Sequence, residues 1–218
     1  MVWQTYDYYF EPTAAYFGSK KGSAPIRIQW NPVSRMVEVV NNNASKQDGL
    51  TATASLVNYD GKIVSKQSAR LDSEEDTTIQ LYTLDIEDDA LSDTYYISLK
   101  LSRGDEVLAD NFYCEGKEIG DYKQLLTLGK ADVGLNCNLT RNGGEWSGTA
   151  VVTNDGRIPA LMIRLKVRAK DGSDILPVFY EDNFFSLLPG ESKTVKISFK
   201  DEDTRGRKPV VNIEGFNL

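Results

Sequence analysis

The amino-acid sequence predicts an all-β protein made of two tandem immunoglobulin-like β-sandwiches, with a short helical segment in front. Three observations carry this. From Pro25 almost to the end, apolar and polar residues alternate with a period of two. The alternating runs are broken by Asp-Gly, Asn-Gly and Pro-Gly pairs, which favour tight antiparallel turns. One strand-turn plan also occurs twice at an offset of about a hundred residues, the size of one such sandwich. The expected organisation is residues 1–22 as a separate leading segment, 23–118 as the first sandwich and 119–218 as the second.

The leading segment is aromatic and partly helical. Glu11-Pro12-Thr13 can start a helix, because Pro is tolerated at the first helical position and Glu suits the positive end of the dipole. Lys20, Lys21 and Gly22 end it, with basic residues in the last turn, Gly just past it and Pro25 beyond as a stop. Ala14, Phe17 and Lys21 share one face, with Ala15 and Tyr16 beside it, while Tyr6, Tyr8, Tyr9 and Phe10 crowd the residues before. So many rings need a partner surface, and the expectation is that the chain begins inside another domain.

Strands follow. Ile26, Ile28 and Trp30 alternate with Arg27 and Gln29, and Leu50, Ala52, Ala54 and Leu56 with Thr51, Thr53 and Ser55. Tyr95, Ile97, Leu99 and Leu101 repeat the pattern. Ile163, Leu165, Val167 and Ala169 face one way and Arg164, Lys166, Arg168 and Lys170 the other; Val195, Ile197 and Phe199 match them further on. The repeat is visible in Val39-Val40-Asn41-Asn42 and Val151-Val152-Thr153-Asn154, each leading into a long alternating strand that ends in Tyr59-Asp60-Gly61 or Lys170-Asp171-Gly172. The boundary falls in residues 115–128, where Gly116, Gly120 and Asp121 interrupt the alternation. No Cys-Trp-Cys core is present, so the sandwiches are not of the antibody type.

Composition excludes several chemistries. The 218 residues carry a formal charge of -7, 40% hydrophobic residues and no histidine. A Ser-His-Asp or Cys-His centre or a histidine zinc site therefore cannot be built, and the acidic balance argues against nucleic acid. No apolar run reaches the length of a bilayer span, and Met1-Val2-Trp3-Gln4-Thr5-Tyr6-Asp7 does not read as a signal peptide. Cys114 and Cys137 fall in different sandwiches without C-x-x-C spacing and read as buried thiols, Cys137 alternating with Val133, Leu135 and Leu139. The acidic runs 74–76, 85–89 and 201–203 lack calcium-loop spacing and read as solvated turns. Nothing calls for a cofactor or metal. Two sequons, Asn43-Ala44-Ser45 and Asn138-Leu139-Thr140, would matter only in a eukaryotic secretory route.

Four stretches carry a resemblance: Trp3 to Tyr9, Thr13 to Lys21, Ala24 to Trp30 and Phe179 to Glu191. Together they are similar to the C-terminal region of family 2 glycoside hydrolases, in the branch of exo-β-D-glucosaminidases and mannosylglycoprotein endo-β-mannosidases. Tyr16-Phe17-Gly18 and Leu187-Leu188-Pro189-Gly190 are the most specific blocks. The resemblance implies that residues 1–22 are the tail of a catalytic (β/α)8 barrel and that the two sandwiches trail it. One departure is Cys114, where the family is expected to place Trp after Asn111-Phe112-Tyr113.

In such enzymes the retaining mechanism needs two carboxylates about 5 Å apart at the barrel's strand ends. None of the 32 acidic residues matches those motifs, so no catalytic residue is expected in this chain. Two segments could still touch substrate in a parent enzyme: Trp3, Asp7 and Tyr8 beside the barrel's last strand, and Tyr180, Asp182 and Asn183 in an aromatic, acidic loop. Packing against a neighbouring surface is the competing reading for both. The expected partner is the catalytic barrel of the same polypeptide, and an oligosaccharide is a second. Accessory scaffold is the leading function, an independent carbohydrate-binding sandwich its rival, and an adhesion pair a third. By the resemblance, a bacterial parent would be exported, while the sugar is chosen by barrel loops outside this sequence.

Overall fold

The computed structural model describes residues 4–218. By their internal contacts these form two units, Lys21–Leu128 and Gly129–Leu218, the latter including the residues up to Lys20. Among the described residues the fold is all-β with little helix, as the alternation predicts.

The first unit contains β1 (Ile26–Trp30), β2 (Met36–Asn41), β3 (Gln47–Asn58), β4 (Ile63–Ser73), β5 (Thr77–Thr83), β6 (Thr94–Arg103) and β7 (Glu106–Gly116). They form a three-stranded sheet of order β1-β2-β5 and a four-stranded sheet of order β4-β3-β6-β7. Pairing is antiparallel, as short turns require. Ile28, Trp30, Val37 and Val39 pack with Leu50, Ala52, Ala54, Leu56, Ile97, Leu99 and Leu101 in one core. These are the inward positions of the alternating pattern, whose period of two puts them on one face.

The second unit contains β8 (Val133–Asn142), β9 (Glu145–Asn154), β10 (Ala160–Ala169), β11 (Phe179–Tyr180), β12 (Phe185–Leu187), β13 (Ser192–Lys200) and β14 (Pro209–Glu214). Its sheets have orders β11-β13-β9-β8 and β12-β10-β14. The order β8-β9-β13 corresponds to β1-β2-β5, and β12-β10-β14 to β4-β3-β6, so the repeat in sequence is a repeat in topology. Ala150, Val152, Ile163, Leu165, Val167, Val195, Ile197 and Phe199 share its core, with Val133, Leu135, Cys137 and Leu139 packed against it. Both cysteines are free thiols.

The echoed asparagines explain why the repeat shows. Asn41 and Asn154 each end a strand and are fully buried. Asn41 Nδ2 donates to the carbonyls of Ser45, Ser73 and Glu74, while its Oδ1 accepts from Asn43 N. Asn154 Nδ2 donates to the carbonyls of Ile158 and Leu187, while its Oδ1 accepts from Gly156 N. Each amide thus satisfies buried backbone groups where the chain leaves one sheet for the other, a task that an apolar residue cannot do. Gly148 on β9 has a different reason: a Cβ there would lie 1.9 Å from the Asn138 carbonyl oxygen on β8.

The leading segment contributes α1 (Ala14–Gly22), which starts two residues after Pro12 and includes Gly22 as its last residue, one further than expected. Residues 4–13 before it double back through a Tyr6–Pro12 bridge, with Thr13 N donating to Thr5 O at 3.0 Å. Trp3 lies outside the described residues.

Candidate functional site

Two of the sequence-predicted site residues, Tyr180 and Asn183, bond to the β10 backbone of the sheet β12-β10-β14. In the first unit, the strand beside β3 is β4, eleven residues long. Its counterpart beside β10 is β12, three residues long, which pairs only over Ala160 to Ile163. Between Ile163 and the Arg168–Asp174 bridge, the edge of β10 away from β14 has, among the described residues, no strand beside it. Side chains of β11 and the loop that follows it fill the gap. Asn183, 3% exposed, accepts from Leu165 N at 2.7 Å through Oδ1 and donates from Nδ2 to Leu165 O at 2.9 Å. Two residues along, the Tyr180 hydroxyl accepts from Val167 N at 3.0 Å. Burial pushes the Tyr180 phenol up from its ordinary value, so it stays neutral. Asp182 accepts from Asn183 N and pairs with Lys193 at 2.6 Å.

The outer face of β10 carries the alternating cations, and they form a balanced cluster with acids from elsewhere. Arg164 bonds Glu11 and lies 3.5 Å from Glu214. Lys166, only 8% exposed, lies 3.4 Å from Glu11 and 3.0 Å from Asp174. Arg168 pairs with Asp174 at 3.3 Å and Glu214 at 2.6 Å. Burial opposes the charge of Asp174, but hydrogen bonds and attraction from Lys166 and Arg168 outweigh it and hold its pKa below the usual carboxylate range.

Asp7 and Tyr8 sit on the loop that delivers Glu11. Asp7 Oδ1 accepts from Tyr9 N at 2.8 Å and Glu11 N at 3.0 Å. Asp7 N donates to Glu11 O and Phe10 N to Asp7 O, closing the turn with Phe10 at φ 63°. At its tip Tyr8 is 88% exposed, in edge-to-face contact with Tyr9, whose ring centroid is 5.2 Å away; Phe10 is also exposed. Behind the tip, Tyr6, Tyr16, Phe17 and Phe184 form a chain of rings spaced 5.0, 5.0 and 6.0 Å apart. The Arg164 guanidinium lies 5.5 Å above the Phe184 ring, and Lys20 donates to the Glu181 carbonyl at 2.6 Å.

Sequence reasoning named Asp7, Tyr8, Tyr180, Asp182 and Asn183 but missed the partners that organise them, Glu11, Arg164, Lys166 and Lys193. A signal existed: three cations at a period of two with no acid on the same strand demand acids from another element.

A shallow open groove elsewhere on this unit is lined by Gly143, Gly144, Phe179, Phe199, Asp201 and Glu202 among others. Phe179 is 65% exposed there, while Phe199 is buried and stacked on Trp146 at 6.2 Å. Asp201 is held by Trp146 Nε1 at 2.8 Å and Arg141 at 2.5 Å. Among the described residues, no group of His, Cys, Asp and Glu is arranged to hold a metal ion.

Comparison with known proteins assigns both sandwiches. Residues 111–218 match the family model for the exo-β-D-glucosaminidase Ig-fold domain, and residues 36–114 that for the mannosidase Ig/CBM-like domain. The chain is 30% identical over 238 residues to an exo-β-D-glucosaminidase of Amycolatopsis orientalis, covering 99% of this chain and 23% of that protein. It is 31% identical over 242 residues to one of Streptomyces avermitilis, covering 99% and 26%. Among solved structures, the Amycolatopsis orientalis exo-chitosanase CsxA superposes with a TM-score of 0.92 at 29% identity, over 99% of this chain and 28% of that one. A β-D-mannosidase from Dictyoglomus thermophilum shares the fold, with a TM-score of 0.71 at 17% identity over 99% of this chain and 24% of that one. The chain thus spans about a quarter of the length of the relatives it matches.

Proposed function

The chain consists of Ig-like accessory domains of the exo-β-D-glucosaminidase and mannosidase kind, and from that premise we propose that they brace the catalytic barrel of a retaining β-glycosidase without performing its chemistry. Residues 1–22 are, on this reading, the end of that barrel, followed by sandwiches at 23–118 and 119–218. The reaction it serves is removal of a β-linked glucosamine or mannose residue by a carboxylate pair outside this sequence.

The observation that carries the reading is the leading segment. Residues 4–20 have no core of their own, and their buried side, Glu11 and Phe17, is fitted to the second sandwich. The opposite side, Tyr8 to Phe10, is displayed on a turn locked by Asp7, which suits a surface that belongs against something larger. Asp7 and Tyr8, together with Trp3, are the proposed cleft contacts of the leading segment. Tyr180, Asp182 and Asn183 support the cleft from behind, because their polar atoms serve β10, β13 and their own loop.

A second reading, an independent carbohydrate-binding sandwich, has one observation in its favour, the exposed Phe179 in an open groove. Its neighbour Phe199 is turned inward, so the groove offers one ring rather than a coplanar pair. Isothermal titration of the purified chain with chitosan and mannan oligosaccharides separates the two. Scaffold domains give no heat beyond dilution. Saturable binding that is lost in Phe179→Ala would overturn the scaffold reading in favour of the module.

A further inference from the structure

We infer that Glu11 is a positioning residue that holds the aromatic loop 7–11 in register with β10. Three carboxylates balance the three cations on the outer face of β10, and two of them, Asp174 and Glu214, come from the sandwich itself. Glu11 alone comes from the leading segment, and it reaches both Arg164 and Lys166. The Glu11 side chain is 14% exposed and that of Lys166 10%, so the carboxylate and the ammonium need each other where water is scarce.

The loop's geometry carries this anchoring outward. Glu11 N donates to Asp7 Oδ1, and Glu11 O accepts from Asp7 N. Glu11 therefore closes the same turn whose tip displays Tyr8, Tyr9 and Phe10, while its side chain is pinned below. Phe10 holds a left-handed backbone, which a bulky residue adopts only where its surroundings impose it. A shift at Arg164 or Lys166 thus moves the aromatic tip. This coupling belongs to the chain itself and does not depend on what the whole protein hydrolyses.

Amide hydrogen exchange on the 218-residue chain tests it, comparing the native sequence with Glu11→Gln, Glu11→Lys, Arg164→Glu and the Glu11→Lys/Arg164→Glu pair. Glu11→Gln should speed exchange at Asp7, Tyr9, Phe10, Glu11 and Thr13 by about tenfold or more, with β9 and β13 amides unchanged. The exchanged pair should recover protection that each of its single variants loses. Unchanged loop protection in Glu11→Gln, a uniform loss that includes β9 and β13, or no recovery in the exchanged pair would each overturn the assignment.

Discussion

Glu38 shows how a single carboxylate can be buried and still ionised. On β2 it is 5% exposed and accepts from Gln29 Nε2 at 2.9 Å, Gln80 Nε2 at 3.1 Å and Asn31 Nδ2 at 3.3 Å. Burial opposes the charge, but the three amides outweigh it and hold the pKa below its ordinary 4.5. A group whose folded pKa is depressed stabilises above its unfolded value and loses that contribution as pH falls through the folded one. The Glu38 contribution to the first sandwich should therefore be present above the ordinary 4.5 and be lost below it. That acid slope is read as the melting-temperature difference between the native chain and Glu38→Gln, since Glu115, raised by burial, acts in the opposite sense in both. Glu38→Gln, which turns an amide donor toward other donors, should cost about 1–3 kcal/mol at neutral pH by urea melts and flatten that acid slope. Cys114 gives a second test at this scale. Burial and the charge of Glu115 push its thiol up to about 11. At pH 8 it should react with a disulfide reagent about two orders of magnitude more slowly than in the unfolded chain.

At the scale of elements, side chains stand in for missing strand. β12 stops after three residues, and Asn183 and Tyr180 take over the β10 ladder that β4 completes for β3 in the first sandwich. Asn183→Ala should leave the Leu165 N–H and carbonyl unpaired and cost about 1–3 kcal/mol in chemical denaturation. Asn154→Ala, whose amide joins the buried Leu187 carbonyl to the half-buried Ile158 carbonyl, should cost a similar amount. Gly148→Ala should be worse than either, since relief of its contact with the Asn138 carbonyl requires β8 and β9 to separate.

The strands themselves were legible, because one buried face imposes a period of two and the positive-φ turns call for Gly at Gly61, Gly104, Gly143 and Gly172. The echo of Val39-Val40-Asn41-Asn42 in Val151-Val152-Thr153-Asn154 marked the right corners but one residue out of register: the equivalent buried amides are Asn41 and Asn154, which each end a strand. What could not be read was long-range. Nothing local says that Glu11 lies against residues 164 and 166, or that the second sandwich lacks a full counterpart of β4. The aromatic loop was found, but its polar side chains proved to serve backbone and ion pairs of the fold, which only the tertiary arrangement shows.

At the scale of the whole molecule, the two sandwiches repeat one topology but differ at the edges. In the first, β6 is followed by β7, so its larger sheet has four strands. In the second, that sheet ends at β14, and the leading segment contributes Glu11 to its outer face. The economy fits accessory domains whose surfaces are shaped by what they accompany. The central claim is that this chain serves a glycosidase without carrying its carboxylate pair, and the most direct measurement is hydrolysis of p-nitrophenyl β-D-glucosaminide and β-D-mannoside by the purified 218-residue chain. The account predicts release of nitrophenol at the rate of buffer alone. Turnover that saturates with substrate and disappears on changing one acidic residue of this chain would contradict it.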